Sequence, residues 1–207
     1  MRFTIKTYGC QMNVYDSERI AEMLTAAGLE SATDGLGDVL LLNTCSVREK
    51  PREKVISAIK QAKAGNPAIK VVVTGCVAQL EGDSLLAEGA DLVMGPDWYD
   101  SLAETLFSMD ATADYQAVYD GFITDNPTFL EADPRATGVS AFLPIQKGCG
   151  NFCTYCVVPM ARGPERSRPQ DDILHEVKRF VSKGATEIFL LGQNVNSYKG
   201  EGGISGL

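Results

Sequence analysis

The sequence has few features of a membrane or exported protein and very little histidine. No apolar run in its 207 residues approaches the roughly 20 residues that a membrane-spanning helix needs. Residues 1–6 alternate apolar and polar side chains as a β-strand does, so no signal peptide is expected. The one histidine, His175, is predicted on the polar face of a helix, outside any site. These absences favour a globular protein of the reducing cytoplasm.

Positive charge is also scarce. The formal net charge is -8 and the pI is about 4.7, which argues against a nucleic-acid-binding surface over the whole chain. Lys147, Arg162, Arg166 and Arg168 are the exception, because they form one basic cluster. This cluster is expected either to contact phosphate groups or simply to form a solvated loop.

Cysteine, in contrast, is plentiful, and half of it lies in one loop. Cys149, Cys153 and Cys156 have Cys-x3-Cys-x2-Cys spacing, and Gly148 and Gly150 give the backbone freedom to curl around a centre. Zinc usually takes four ligands, so a compact triplet fits it poorly. A 4Fe-4S cluster that is held by three thiolates, with one open iron, fits better. Zinc and ordinary reduced thiols remain the alternatives.

The first half of the chain alternates short apolar strands with amphipathic helices. This order predicts a parallel, doubly wound α/β sheet. The predicted strands are residues 2–8, 38–43, 69–74 and 92–94, and the predicted helices are residues 16–27, 49–64, 79–88 and 98–107.

Three more cysteines each follow the C-terminal end of a predicted strand. Cys10, Cys45 and Cys76 are separated by about one βα unit each. Loops beyond the C-terminal strand ends of a parallel sheet line one crevice, so these three thiols are expected to meet in space. The alternative is three unrelated buried cysteines.

The second half begins a new β/α series. Residues 110–140 are acidic and contain prolines, which is typical of a linker between a domain at 1–109 and one at 141–207. The predicted elements are a strand at 141–146, a helix at 169–183 and a strand at 187–191. Because two strands cannot make a barrel or a stable sheet alone, the chain is expected to end inside its second domain.

Six stretches over nearly the whole chain resemble a known family. The chain looks like the N-terminal half of a radical S-adenosylmethionine methylthiotransferase of the tRNA-modifying MiaB type. The matching stretches are residues 8–13, 43–49, 75–79, 148–156, 162–169 and 191–198. The resemblance implies a Rossmann-like N-terminal domain followed by the start of a radical SAM (β/α) partial barrel. The rest of that barrel and an RNA-binding domain lie outside this sequence, so the fragment is expected to be inactive alone.

The resemblance also implies two 4Fe-4S clusters and S-adenosylmethionine as cofactors. The ligands of the radical cluster would be Cys149, Cys153 and Cys156, and those of the auxiliary cluster Cys10, Cys45 and Cys76. Tyr155 would pack near the adenine of S-adenosylmethionine. Gln193 and Asn194 would contact the same cofactor, although a capped loop with polar residues is the alternative. No catalytic residue is expected beyond the cluster ligands.

The reaction implied by the resemblance is methylthiolation of carbon 2 of N(6)-isopentenyladenosine at position 37 of tRNA. Radical chemistry would activate that carbon, and the auxiliary cluster would supply the sulfur. The alternatives are a methylthiotransferase acting on threonylcarbamoyl-adenosine tRNA or on a ribosomal protein, a non-catalytic iron-sulfur protein, and a zinc-binding module. The expected partners are tRNA and an electron donor such as a flavodoxin or ferredoxin, with no membrane, and the chain is expected to be a monomer.

Overall fold

The chain forms two compact units, Met1–Leu130 and Glu131–Leu207. The computed structural model describes residues 1–47, 50–112, 115–123, 129 and 138–207. About half of the predicted linker at 110–140 lies outside these described residues.

The first unit is built on a parallel sheet. In its described residues the strand order is β2-β1-β3-β4-β5-β6, and every neighbouring pair is parallel. The strands are β1 (Arg2–Tyr8), β2 (Glu30–Ser31), β3 (Val39–Thr44), β4 (Lys70–Gly75), β5 (Leu92–Met94) and β6 (Ala117–Tyr119). The predicted parallel sheet is therefore confirmed. Two short strands had too weak a pattern to predict: β2, and β6 within the segment 110–140.

Helices cover both faces of this sheet, as a doubly wound fold requires. The helices are α1 (Gln11–Ala26), α2 (Pro51–Gly65), α3 (Cys76–Ala87) and α4 (Leu102–Ala111), with a 3-10 turn at Tyr99–Ser101. Leu24 of α1 and Leu106 of α4 pack in one core cluster with Leu41 and Val72. Ile59 of α2 and Leu85 of α3 pack in the other, together with other residues of the same strands. The apolar runs of β3 and β4 are buried because helices lie on both sides.

Two helices begin earlier than the sequence pattern predicts. Helix α1 begins at Gln11 with Cys10 as its N-cap, and Asp16, the first residue of the predicted helix, is a buried residue inside the helix. Helix α3 begins at Cys76, directly after the strand, and has a non-helical residue at Glu81. The early starts place two cysteines at helix N-termini.

The second unit contains a pair of parallel strands covered by a helix. Strand β7 (Ser140–Pro144) pairs with β10 (Glu187–Leu191), and α6 (Gln170–Ser182) connects the two strand regions. Leu143, Ile173 and Phe180 form the centre of its core. The remaining elements are β8 (Gln146–Lys147), α5 (Val158–Arg162), β9 (Arg166–Ser167) and two 3-10 turns, Val195–Ser197 and Gly203–Gly206.

The predicted strand at 141–146 is interrupted at Ile145. Residues Gln146 and Lys147 leave β7 and pair antiparallel with Arg166 and Ser167 of β9. This short ribbon leads directly into the cysteine loop at 148–156. Across the described part of the chain, no helix combines the length and the apolar composition needed to cross a membrane.

Candidate metal centres

Cys10, Cys45 and Cys76, here called the strand-end triad, follow three adjacent parallel strands. Tyr8 of β1 is in register with Thr44 of β3, and Thr44 is in register with Gly75 of β4. Each cysteine comes one or two residues after these paired positions. The fold therefore brings three thiols that are distant in sequence to one edge of one sheet.

Two thiols of the strand-end triad contact each other. A hydrogen bond with the Cys10 side chain, together with burial and the nearby Cys76 thiol, raises the pKa of Cys45. Only 3% of Cys45 and 6% of Cys76 is exposed. The backbone N–H of Val47 donates to Cys45 Sγ at 3.4 Å. The three side chains thus form a largely buried sulfur group with a polar donor already directed at it.

Two fully buried asparagines join the start of α1 to the end of β3. Asn13 Nδ2 donates to Asn43 Oδ1 at 2.9 Å and to the Thr44 carbonyl at 3.2 Å. Asn43 Nδ2 donates in turn to the Asn13 carbonyl at 3.0 Å and to Ser17 Oγ at 2.9 Å. Both asparagines are 0% exposed, and these bonds satisfy groups that would be costly to leave unpaired.

Asn13 also holds Cys10 directly. Its Oδ1 lies 3.4 Å from the Cys10 backbone nitrogen and 3.4 Å from Cys10 Sγ, so the cysteine that caps α1 is anchored by the same side chain. Neither asparagine is predicted as a site residue from the sequence pattern. The available signal was the placement of amide residues three positions after Cys10 and two before Cys45.

Gly75 lets β3 and β4 close tightly beside the triad. Its φ is +89°, and a Cβ at this position would lie 2.4 Å from the Thr44 carbonyl oxygen and 2.6 Å from Asn43 Oδ1. Only glycine adopts this backbone conformation readily and leaves that space free. The turn places Cys76 at the first position of α3.

The surroundings of the strand-end triad suit an anionic group. Cys10 is the N-cap of α1 and Cys76 begins α3, and helix N-termini favour negative charge and thiolates. Ser46 Oγ, next to Cys45, is buried and has no hydrogen-bond partner among the described residues. An unpaired buried hydroxyl is unfavourable. A sulfide or thiolate acceptor at this place would satisfy it, so the residues fit an iron-sulfur cluster.

Within the described ranges, no group of three histidine, cysteine, aspartate or glutamate side chains is arranged to hold a metal ion. Neither cysteine triad therefore forms a ready-made site for a single metal ion in this part of the chain.

The other three cysteines, here called the loop triad, lie in the second unit on a much more exposed segment. Cys149 is buried, Cys156 is partly buried and Cys153 is exposed. The side chains of Phe152 and Tyr155 are 78% and 90% exposed. The loop thus exposes the Cys153 thiol and two aromatic rings at the surface of this unit, while Cys149 lies buried at its start.

Hydrogen bonds with the side chains of two glutamines fix the start of this loop. Gln146, which is 0% exposed, donates from Nε2 to the Gly148 carbonyl at 2.7 Å. Its Oε1 accepts the Asn194 N–H at 3.2 Å. Gln193 Oε1 accepts the Gly148 N–H at 2.6 Å. Gln193 and Asn194 therefore lie beside the loop triad, and the side chain of Gln193 is already bonded to the loop. The sequence does not predict this role for Gln146, because the residue lies within the predicted strand at 141–146 and has no distinguishing pattern.

Gly148 itself is held in a conformation that requires glycine. Its φ is +72°, and a Cβ would lie 2.0 Å from the Pro164 carbonyl oxygen. The Cys149 N–H donates to the Gly163 carbonyl at 3.2 Å. The segment after α5 therefore supports the first cysteine of the loop from behind.

The prediction that the basic cluster forms a solvated loop is wrong for three of its four residues. Lys147, Arg162 and Arg168 are only 5%, 4% and 3% exposed. Arg168 forms an ion pair with Glu176 of α6, and Arg166 donates to the Arg162 carbonyl at 3.2 Å. These cations therefore lie inside the unit rather than in a solvated loop.

Two family descriptions match this chain. Uncharacterized protein family UPF0004 matches residues 2–95, which include the strand-end triad. The Radical SAM superfamily matches residues 143–204, which include the loop triad. The two matches divide the chain much as its two compact units do.

Curated relatives extend the similarity over nearly the whole chain. It is 46% identical over 209 aligned residues to the tRNA-2-methylthio-N(6)-dimethylallyladenosine synthase of Maricaulis maris, covering 96% of this chain and 46% of the relative. The proteins of that name from Ruegeria sp. (strain TM1040) and Vibrio cholerae are 48% and 43% identical, covering 96% and 98% of this chain and 46% and 45% of the relatives. The chain thus spans about half the length of the curated relatives it matches.

Proposed function

The chain belongs to the radical S-adenosylmethionine methylthiotransferase family, MiaB type, matching its N-terminal portion, and from this we propose that its protein methylthiolates tRNA. The proposed product is 2-methylthio-N(6)-isopentenyladenosine at position 37. The observation that supports this most strongly is 46% identity over 96% of the chain to a synthase of that name. That identity spans both cysteine triads.

Membership of the family implies S-adenosylmethionine and an iron-sulfur cluster. We propose that the loop triad holds the radical 4Fe-4S cluster and that the strand-end triad holds a second, auxiliary 4Fe-4S cluster. When bound, these groups supply the electron that cleaves S-adenosylmethionine and the sulfur that is transferred. Support for the second cluster comes from the three gathered thiols, the two helix N-termini and the buried Ser46 hydroxyl, for which the described residues supply no partner.

The other side chains of the loop region have binding and positioning roles in this proposal. Exposed Tyr155 packs against the adenine of S-adenosylmethionine. Gln193 and Asn194 form the wall of the cofactor site, and the bond from the Gly148 N–H to Gln193 keeps that wall against the cysteine loop. No residue is assigned a catalytic role beyond the six cysteines.

The remaining assignments follow from the same family relationship. We propose domains at 1–109 and 141–207 with a linker at 110–140, a cytoplasmic location, a monomeric chain, and a flavodoxin or ferredoxin as electron donor. The substrate is tested in a strain from which the gene is deleted, by mass spectrometry of its tRNA nucleosides and of its ribosomal proteins. Loss of the methylthio group from isopentenyladenosine supports the proposal, whereas loss from threonylcarbamoyl-adenosine or from a ribosomal protein contradicts it.

The two-cluster proposal is tested by anaerobic reconstitution of the chain with iron and sulfide. We expect about eight irons per chain, since each cubane contains four. Replacing Cys10, Cys45 and Cys76 together by alanine should leave about four, and so should replacing Cys149, Cys153 and Cys156. Only the first of these variants should still cleave S-adenosylmethionine. About four irons in the unchanged chain would contradict the auxiliary cluster, and bound zinc with no brown absorbance would contradict both.

A further inference from the structure

A groove on the first unit, here called the α2 groove, lies between helix α2 and the end of β1. Its volume is about 330 Å³, and Tyr8 and Lys50 line it together with the face of α2 that carries Lys54 and Gln61. The Tyr8 carbonyl accepts the Cys45 N–H at 2.9 Å. The α2 groove therefore borders the strand-end triad.

The two lysines of the α2 groove differ from the other lysines of the same helix. Lys60 Nζ lies 2.9 Å from a Glu88 carboxylate oxygen, and Lys63 is paired with another carboxylate at 2.7 Å. Lys50 and Lys54 are exposed, and within the described part of the chain they form no ion pair. Two uncompensated positive charges thus face one groove.

These two lysines are not placed to stabilise the helix. Lys50 is the N-cap of α2 and Lys54 follows four residues later. Like charges at this spacing repel each other, and the N-terminus of a helix favours negative rather than positive charge. The backbone of Lys50 also has a φ of +51°, which is uncommon for a residue other than glycine. An anion bound between the two lysines would offset the unfavourable charge arrangement.

The other side chains around the α2 groove keep its charge positive. Glu53 is the one acidic residue that lines it. Lys6 lies two residues before Tyr8 in β1, so both side chains lie on the sheet face that α2 partly covers. Three lysines therefore surround the groove against one carboxylate, on a chain whose net charge is -8.

The length and composition of the α2 groove suit a nucleic acid strand better than a single small anion. Lys50 and Gln61 are separated by about 16 Å along the helix axis. Lysine, serine and glutamine commonly contact phosphate and sugar groups, and Ser57 and Gln61 continue the row that the lysines begin. Tyr8 supplies an aromatic ring, on which an unpaired base can stack.

We propose that the α2 groove binds the phosphate backbone of the RNA substrate, with Lys50 and Lys54 in contact with its phosphate groups. The proposal rests on the proposed function, since it names the surface of the first unit that the substrate contacts. Binding here would hold an RNA strand beside the strand-end triad. Neither lysine is a catalytic residue.

The salt dependence of RNA binding tests the proposal. The probe is an anticodon stem–loop RNA that contains isopentenyladenosine, and its binding to the 207-residue chain is followed by fluorescence anisotropy at several salt concentrations. Lys50→Gln and Lys54→Gln should each lower the slope of log K against log salt by about 1, as expected for loss of one phosphate contact. The matched control is Lys60→Gln, which removes the same charge from the same helix and should leave the slope unchanged.

Lysine acylation measured by mass spectrometry tests the proposal without any substitution. With the RNA at ten times its Kd, acylation of Lys50 and Lys54 should slow about tenfold, because only the free chain reacts there. Acylation of Lys60 should be unchanged. Parallel samples contain inorganic phosphate or polyglutamate at the same concentration in place of the RNA, and neither should protect the two lysines.

Unchanged slopes in Lys50→Gln and Lys54→Gln, an equal change in Lys60→Gln, or acylation of Lys50 and Lys54 that the RNA does not slow would overturn the inference. Equal protection by inorganic phosphate or polyglutamate would also overturn it, because the groove would then take anions in general. Failure of the proposed function appears separately, as unchanged tRNA nucleosides in the deletion strain. The binding results would still decide whether the groove contacts RNA.

Discussion

The two cysteine triads are built in opposite ways. The strand-end triad draws its thiols from three βα units, and the paired ends of β1, β3 and β4 place them. The three thiols of the loop triad lie in one short segment, whose start is held by hydrogen bonds with the side chains of Gln146 and Gln193. Cys45 and Cys76 are buried, whereas Cys153 is exposed.

This difference indicates what each site depends on. Displacement of the strand-end triad requires disruption of a sheet whose strands are covered on both faces. Displacement of the loop triad requires only the loss of a few hydrogen bonds at its base. Substitutions near the first triad should therefore lower the stability of a whole unit, and substitutions near the second should act locally.

The largest expected effect is that of Gly75→Ala beside the strand-end triad. The new Cβ would meet the Thr44 carbonyl at 2.4 Å, and the positive φ adds strain. We expect the free energy of unfolding of the first unit to fall by about 4 kcal/mol, as measured by chemical denaturation. The control, Gly28→Ala, has a similar φ of +92° with nothing within 4 Å and should lose only about 1 kcal/mol. Equal losses of unfolding free energy in the two variants would show that the close approach of β3 and β4 at Gly75 does not matter for stability.

Asn43→Ala should have the next largest effect. It removes a fully buried side chain together with its three hydrogen bonds to Asn13 and Ser17, so we expect a loss of about 3 kcal/mol from the same unit. Asn66→Ala is the control, since its side chain accepts only an exposed bond from the Ala68 N–H. If both variants unfold at the same denaturant concentration, the asparagine pair does not anchor Cys10.

Gly148→Ala should have the smallest effect on global stability, and its effect should be confined to the cysteine loop. Strain at this position costs about 2 kcal/mol, and the loop can relieve part of it by moving. Hydrogen exchange should rise at residues 148–156 and remain unchanged in the first unit. Gly150→Ala has open space for its methyl group and should resemble the unchanged chain. Increased exchange throughout the first unit would contradict the separation of the two sites.

The parallel sheet and the grouping of Cys10, Cys45 and Cys76 could be predicted because both depend on regular patterns. Buried parallel strands form continuous apolar runs, and a residue that follows each strand must lie at the same edge of the sheet. The loop triad was visible in its spacing alone. Strands of two or three residues, such as β2 and β6, were not predictable because such short segments have no detectable period.

Features that depend on tertiary contacts were also hidden. Arg168 is buried because Glu176, on a later helix, pairs with it, and nothing in the spacing of the arginines indicates this. Asp16 is a residue type that commonly caps helices, but the N-cap of α1 is Cys10, with Asn13 completing the capping box. The helix begins this early because β1 ends at Tyr8 and the chain turns directly after it. Side chains that hold one loop on another, such as Gln146, have no local signature.

The dispersal of Cys10, Cys45 and Cys76 also has a consequence for the order of assembly. These thiols come together only after β1, β3 and β4 have paired, because pairing of distant strands requires closure of long chain loops. Cys149, Cys153 and Cys156 lie within eight residues and stay close even in an unfolded chain. During synthesis, the strand-end site therefore forms at the rate of folding of its unit, whereas the loop thiols are near neighbours as soon as they are made.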